Sequence, residues 1–206
     1  MLQVGLTGSI AVGKSFVCGV FRELGCSVLD ADQVAREVVV RGTVGLGRIV
    51  ENFGPEVLND DGELDRAKLG SMVFADENKR LLLNSIVHPL VVEAQDRWLK
   101  DRELEEPTGI AIVDAALMIE SGGYQRFDQL IVVWCEPEIQ LERLILRDNL
   151  TRTDALARIA AQMPQDEKKG YADFLIDTSN GYEVARDQAE GVYRQLRLFT
   201  DADPGN

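Results

Sequence analysis

The chain has 206 residues, 45% of them hydrophobic, with 22 Lys and Arg against 35 Asp and Glu, and a formal net charge of −13. That length fits one domain with room for insertions, and the apolar fraction is enough for a buried core. The acidic balance disfavours general nucleic-acid binding, which needs a basic footprint, but it leaves room for a polyanionic ligand if the few cations gather in one cleft.

In chain order, Leu2 to Thr7 is a short apolar run that predicts a buried strand, followed by a glycine-containing loop and a helix over Lys14 to Leu24. A second apolar run, Ser27 to Leu29, ends in Asp30-Ala31-Asp32 and leads into a helix over Gln33 to Val40. From Gly45 to Leu104 the pattern is mostly helical, with turn signals at Asn52-Phe53-Gly54-Pro55 and Asn59-Asp60-Asp61-Gly62. Pro89 is expected to open a new helix at its first turn. Ile110 to Val113 predicts a third strand ending at Asp114, and Leu130 to Trp134 a fourth. Pro137 to Arg147 reads as a helix, and Thr151 to Met163 as a second helical arm whose start, Thr151-Arg152-Thr153-Asp154, resembles a capping box with Asp in the acidic position. Phe174 to Ile176 predicts a fifth strand, Tyr182 to Phe199 an amphipathic helix, and Thr200 to Asn206 a frayed tail. Strands alternating with helices predict an α/β protein with a parallel sheet covered on both faces, the long helical stretch being an insertion on that core.

No run approaches the roughly 18 apolar residues of a membrane helix. The first strand begins at Leu2, so no leader is expected before it. Cys18, Cys26 and Cys135 lack metal-ligand spacing and read as buried thiols of a reducing compartment. The expectation is a soluble cytoplasmic protein.

Residues 8 to 15, Gly-Ser-Ile-Ala-Val-Gly-Lys-Ser, form the pattern G-x-x-x-x-G-K-S between a predicted strand and a predicted helix. Gly8 and Gly13 permit the turn and a close backbone approach. The amides of Ala11, Val12, Gly13 and Lys14 can form a nest around a β-phosphate. The Lys14 ammonium reaches β- and γ-phosphates, and the Ser15 hydroxyl can ligate Mg²⁺. Open α/β sheets bind ligands at the carboxyl ends of their strands. The second strand brings Asp30 and Asp32 there and the third brings Asp114. A carboxylate in that position can accept a proton from an attacking hydroxyl or hold Mg²⁺. Asp32 is favoured for this role over Asp30, since one of the two is expected to cap the following helix. Asp114 reads equally as a metal-holding carboxylate and as a strand-end cap.

Arg143 and Arg147 lie four apart on a predicted helix and so share one face, with Arg152 and Arg158 on the next arm. Arginine forks neutralise the charge on a transferring phosphoryl group; the alternative is a solvated face paired with Glu142 and Asp148. An arm of this kind is the form expected of a kinase lid that excludes water. His88, the single histidine, precedes Pro89 in the inserted region and reads first as structural.

Taken together, Thr7 to Ser15, Asp30-Ala31-Asp32 with Ala35-Arg36, His88-Pro89-Leu90, Leu117 to Glu120, Gln140 to Arg143 with Arg147-Asp148, and Ala161-Gln162 resemble the dephospho-coenzyme A kinase family, from residue 1 to about 195. The resemblance implies a single P-loop kinase domain with a three-layer fold, a five-stranded parallel sheet, a helical acceptor-binding insertion at about 45–104 and a lid at about 147–170. It implies transfer of the ATP γ-phosphate, with Mg²⁺, to the ribose 3′-hydroxyl of dephospho-CoA. By resemblance Asp32 becomes the catalytic base, Lys14 and Arg143 phosphate clamps, and Thr7 a neighbour of the reacting centre. Arg36, Arg66 and His88 become acceptor contacts, and Arg147 joins the ATP site. The expected partners are small molecules, ATP and dephospho-CoA, with no nucleic acid or membrane, and the expected state is a monomer. Two departures stand out: Ala116-Leu117-Met118-Ile119-Glu120 lacks the family's usual proline, and Ile176-Asp177-Thr178-Ser179-Asn180-Gly181 carries one residue more than the usual I-D-N-S-G, which puts adenine contacts from that loop in doubt. The other readings are another small-molecule P-loop kinase, such as one for nucleoside monophosphates, and a non-catalytic nucleotide switch. For the second, a GTPase-type switch would want an N-K-x-D or T-K-x-D guanine reader, and none is present. An ATP switch that had lost catalysis would be expected to lack Asp32 or Lys14, and both are present.

Overall fold

The structure, a computed structural model, describes residues 1–201. Five strands form one parallel sheet in the order β2-β3-β1-β4-β5: β1 (Leu2–Thr7), β2 (Ser27–Asp30), β3 (Ile110–Asp114), β4 (Gln129–Trp134) and β5 (Phe174–Asp177). Leu6 is in register with Asp114, and Asp30 also pairs with Asp114, so the strand ends carrying Thr7, Asp30 and Asp114 share one edge of the sheet. β1 is central, and the chain leaves it toward β2 but leaves β4 toward β5. That reversal is the topological switch at which such sheets bind ligands. Continuous apolar runs form these strands because both faces are covered: Val4, Leu6, Ile112, Ile131, Val133 and Ile176 are each fully buried.

The chain divides into two compact units, Met1–Asp30 with Leu99–Asn206, and Ala31–Trp98. In the first, α1 (Lys14–Glu23) and α9 (Tyr182–Asp201) pack Val17, Val20, Phe21, Ala189, Val192 and Leu196 on the sheet core. A smaller cluster joins Leu141 and Leu144 of α6 (Pro137–Asp148) to Ala155 of α7 (Arg152–Ala160), with Ile10 and Ala11 against it. Pro137 opens α6 at its first turn, where its missing N–H costs nothing. Thr151 caps α7 by accepting from the Asp154 amide at 3.2 Å, and its hydroxyl donates to the Asp154 carboxylate at 2.7 Å. The acidic side chain at the capping box's fourth position is thus met by the cap hydroxyl itself.

The second unit has its own core. After α2 (Ala31–Glu37), Val39, Leu46, Ile49, Phe53, Val57, Leu64, Leu69 and Ile86 come together from α3 (Val44–Phe53), a 3₁₀ turn at Pro55–Val57, α4 (Arg66–Ala75), α5 (Glu77–Glu105) and the connections around them. The boundary between the units falls inside α5.

Four expectations change. Pro89 does not start a helix; it lies inside the 29-residue α5. An interior proline costs about 3 kcal/mol. Burial of a side chain such as Ile86 returns about 1.5–3 kcal/mol, and buried apolar positions on both sides, Ile86 and Leu99, hold the helix together. α2 begins at Ala31 rather than Gln33, directly at the strand's end, which places Asp32 in its first turn. The second arm stops at Ala160 and is followed beyond Pro164 by α8 (Gln165–Lys169), too short to show a period in the sequence. α9 continues through Thr200 to Asp201, with the Thr200 hydroxyl on the Arg197 carbonyl at 2.9 Å. The rest of the expected tail, residues 202–206, lies outside the described residues.

The three cysteines are buried and unpaired. Burial, joined by the Asp114 charge at Cys18, raises all three thiols, Cys26 to about 12. Thiolate is the reactive form, so a disulfide reagent at pH 8 should modify none of the three in the native protein and all three after unfolding. Rapid native labelling would contradict this packing.

Candidate functional site

The site is built at the end of β1. After Thr7 the chain enters Gly8–Gly13 and then α1, with Gly13 at φ 89° as the residue before the helix. Each glycine has a local reason. A Cβ on Gly8 would stand 2.4 Å from the Val133 carbonyl, and Gly13 needs a left-handed backbone beside the Thr178 side chain. Ala11 also adopts positive φ, 61°, which for a residue with a Cβ is held only by its surroundings. Those surroundings are specific. The Ile10 amide donates to Gln162 Oε1 at 2.7 Å, the Ile10 carbonyl accepts from Gln140 Nε2 at 2.8 Å, and the Val12 carbonyl accepts from Thr178 Oγ1 at 2.7 Å. The Ser9 hydroxyl, inside the same loop, is buried and has no hydrogen-bond partner among the described residues.

Lys14 follows the loop. Its ammonium forms an ion pair with Asp114 Oδ1, and both side chains are largely buried, 15% and 9% exposed. The second Asp114 oxygen accepts from Cys18 Sγ at 3.4 Å. Ser15 is exposed at the helix start. Thr7, fully buried, donates to the Ala116 carbonyl at 3.3 Å. The same carbonyl accepts from Lys168 Nζ at 2.9 Å, and Lys168, wholly buried in α8, also pairs with Glu120 at 2.8 Å.

The two arginines of α6 separate. Arg143 turns inward, donating from Nη1 to Thr178 Oγ1 and from Nη2 to the Thr178 carbonyl, both at 2.8 Å. Arg147 is exposed and forms a two-pronged contact with Asp148 at 2.8 and 3.1 Å, where its hydrogen bonds hold the Asp148 carboxyl below the usual range. Arg158 shares Asp148 at 2.9 Å, and Arg152 pairs with Glu138 at 3.2 Å. Exposed pairs contribute about 0–1 kcal/mol. Replacing Arg143 by alanine should therefore lower kcat more than it raises KM for ATP, whereas Arg147→Ala should change either constant less than about threefold. Equal losses in steady-state kinetics of the two variants would reverse this ranking.

In the second unit Asp32 occupies the first turn of α2, two residues past the Asp30 that ends β2. Arg36 and Arg66 are brought together, Arg66 Nη2 donating to the Arg36 carbonyl at 3.0 Å, while Asp65 caps α4 through the Lys68 amide. His88 is exposed on α5.

Sequence reading assigned no role to Gln140, Gln162, Gln165, Lys168 or Thr178. Gln165 joins the two halves of the loop's support, donating to Gln140 Oε1 at 2.8 Å and accepting from the Cys135 amide at 3.1 Å. One signal was available. Gln140 and Gln162 are amides inside stretches already singled out, and such a side chain, when buried, requires partners for both its ends.

A parallel sheet with its central strand running into this loop, and a lysine at the helix start, defines a P-loop nucleotide-binding protein. The family model for dephospho-CoA kinase matches residues 2–183. A Bacillus anthracis protein named dephospho-CoA kinase is 45% identical over 196 residues, covering 95% of this chain and 98% of its own. A solved Thermus thermophilus structure superposes with a TM-score of 0.80 at 28% identity, covering 95% of this chain and 97% of its own. The Campylobacter jejuni dephospho-CoA kinase structure gives 0.70 at 27%, with the same coverage. The chain belongs to the dephospho-CoA kinase family, and it is an α/β P-loop kinase.

Proposed function

We propose that the chain transfers the γ-phosphate of ATP to the ribose 3′-hydroxyl of dephospho-CoA, giving CoA and ADP. The observation that supports it most is the phosphate loop itself, with Ala11 and Gly13 at positive φ and its carbonyls tied back to side chains, in a chain of this family. The loop binds the phosphates through the amides of Ala11 to Lys14, and Lys14 leaves Asp114 to neutralise the β- and γ-oxygens. Arg143 adds positive charge beside the loop, and Arg147, further along the same helix and engaged by Asp148, contributes little to it. Thr7 neighbours the reacting centre, and Asp32 orients the acceptor hydroxyl and takes its proton. Arg36, Arg66 and His88 contact the acceptor. Residues about 45–104 form the acceptor-binding insertion and about 147–170 the lid of a single domain.

Mg²⁺ fits the residues in a limited way. Among the described residues no group of three acidic, histidine or cysteine side chains could hold a metal. That suits an ion carried in on nucleotide phosphates and completed by one or two protein groups; Ser15 would supply one and Asp114 the other. When bound, the ion neutralises phosphate charge. The same reading makes the protein a cytoplasmic monomer acting on small molecules. Among the described residues no helix is long and apolar enough to cross a membrane, and a net charge of −13 opposes nucleic-acid binding.

A steady-state assay with ATP and Mg²⁺ against dephospho-CoA, AMP, CMP and shikimate tests the acceptor. Dephospho-CoA should exceed every other acceptor in kcat/KM by about 10⁴-fold or more, the scale on which a site built to bond an acceptor's polar groups rejects one lacking them. Comparable turnover of AMP or CMP would support the nucleoside monophosphate kinase reading instead.

A further inference from the structure

A trans peptide is planar, with its C=O and the next residue's N–H pointing in opposite directions. Whatever holds a loop carbonyl therefore aims the following amide. In this loop two carbonyls are held by side chains from distant parts of the chain. Gln140, 2% exposed on α6, donates to the Ile10 carbonyl, and Thr178, 4% exposed just past β5, donates to the Val12 carbonyl. The amides those peptides aim are Ala11 N–H and Gly13 N–H. Both following residues have positive φ, 61° and 89°, so the turn on either side of the nest is a conformation that needs outside support. Gln162 closes the other side of the first peptide pair by accepting from the Ile10 amide at 2.7 Å. Each holder is itself held: Gln165 donates to Gln140 Oε1, and Arg143 donates to Thr178 Oγ1, orienting the hydroxyl so that its own proton is directed to Val12.

We propose that Gln140 and Thr178, with Gln162 behind them, are positioning residues that aim the Ala11 and Gly13 amides at the nucleotide phosphates. Their number and placement give the loop its shape before any ligand arrives, so binding does not bear the ordering cost of the loop. The proposal rests on the reading of this loop as the ATP site. It also gives Arg143 a second task, since its guanidinium fixes the hydroxyl that aims Gly13. Because Gln162 and Gln165 lie on the segment after α7, a shift of that segment would alter the loop's amides directly.

Thr178→Val removes the hydroxyl and keeps the side-chain shape against Gly13, and Thr178→Ser restores the hydroxyl. Gln140→Met removes the donor at similar length. ADP binding by titration calorimetry, KM for each substrate and the melting temperature should be measured for all three and for the unaltered protein. ADP affinity and KM for ATP should worsen about tenfold or more in Thr178→Val and Gln140→Met, with KM for dephospho-CoA within about twofold, and Thr178→Ser should recover most of the loss. ADP affinity within twofold of the unaltered protein in both variants would overturn the proposal, as would losses shared equally by both substrates. If Gln140→Met does not fold, Gln162→Met, half-buried at the loop's other side, replaces it with the same criteria. Failure of the unaltered protein to bind ADP would overturn the ATP-site reading instead, so the two failures are distinguishable.

Discussion

Lys14→Ala should lower kcat/KM by about 10²-fold or more, the scale of removing one electrostatic donor from a transition state. The lysine acts as a point charge on a flexible stem, so Lys14→Arg should not rescue fully, its fork being larger and planar. Loss of activity alone would be ambiguous, because Lys14 is also the buried partner of Asp114. Removing one member of a buried pair leaves an uncompensated charge and costs about 3–5 kcal/mol. Lys14→Ala should therefore also lower the melting temperature. The double variant Lys14→Ala/Asp114→Ala removes both charges and should regain much of that stability while remaining inactive. Thermal melts and steady-state rates measured on the same samples separate the two effects. A single variant with near-normal turnover would remove Lys14 from the mechanism.

Asp32→Asn should lose about 10²–10⁴ in kcat, the usual range for a general base, while ADP still binds with nearly unaltered affinity. The transition state of phosphoryl transfer is largely dissociative, so the nucleophile needs little early activation. The carboxylate then matters through alignment of the hydroxyl and late proton removal. Asparagine keeps the size and one accepting oxygen but not the charge. Asp30→Asn is the internal comparison. Asp30 closes β2 opposite Asp114 in the sheet register, and its replacement should cost far less activity. The opposite ranking would show that Asp30 is the base. Loss of ADP affinity in Asp32→Asn would place Asp32 at the metal.

The strand–loop–helix at the N-terminus was legible because its requirements are local. An apolar run makes a buried strand, Gly8 and Gly13 make the turn, and Lys14 opens the helix. The remaining strands followed from apolar runs for the same reason. The continuity of α5 through Pro89 was not legible, because local rules weigh the proline's cost and not the burial on either side of it. Within α6, helical spacing put Arg143 and Arg147 on one face, yet one bonds Thr178 and the other Asp148. Spacing fixes a direction from the helix axis, and the partners that meet it come from elsewhere in the chain. The supports of the loop are hidden most completely. Gln140 reaches Ile10 across 130 residues and Thr178 reaches Val12 across 166. By type, Gln140, Lys168 and Thr178 read as surface residues, and all three are buried because each finds polar partners inside.

The central claim is that this chain moves one phosphoryl group from ATP to the ribose 3′-hydroxyl of dephospho-CoA. Phosphorus NMR of the reaction mixture, with ADP quantified in parallel, tests it most directly. The expected result is one new phosphomonoester coupled to the ribose 3′ proton, formed in equal amount with ADP and absent without dephospho-CoA. ADP appearing with inorganic phosphate alone, or a phosphomonoester at any other hydroxyl, would contradict it.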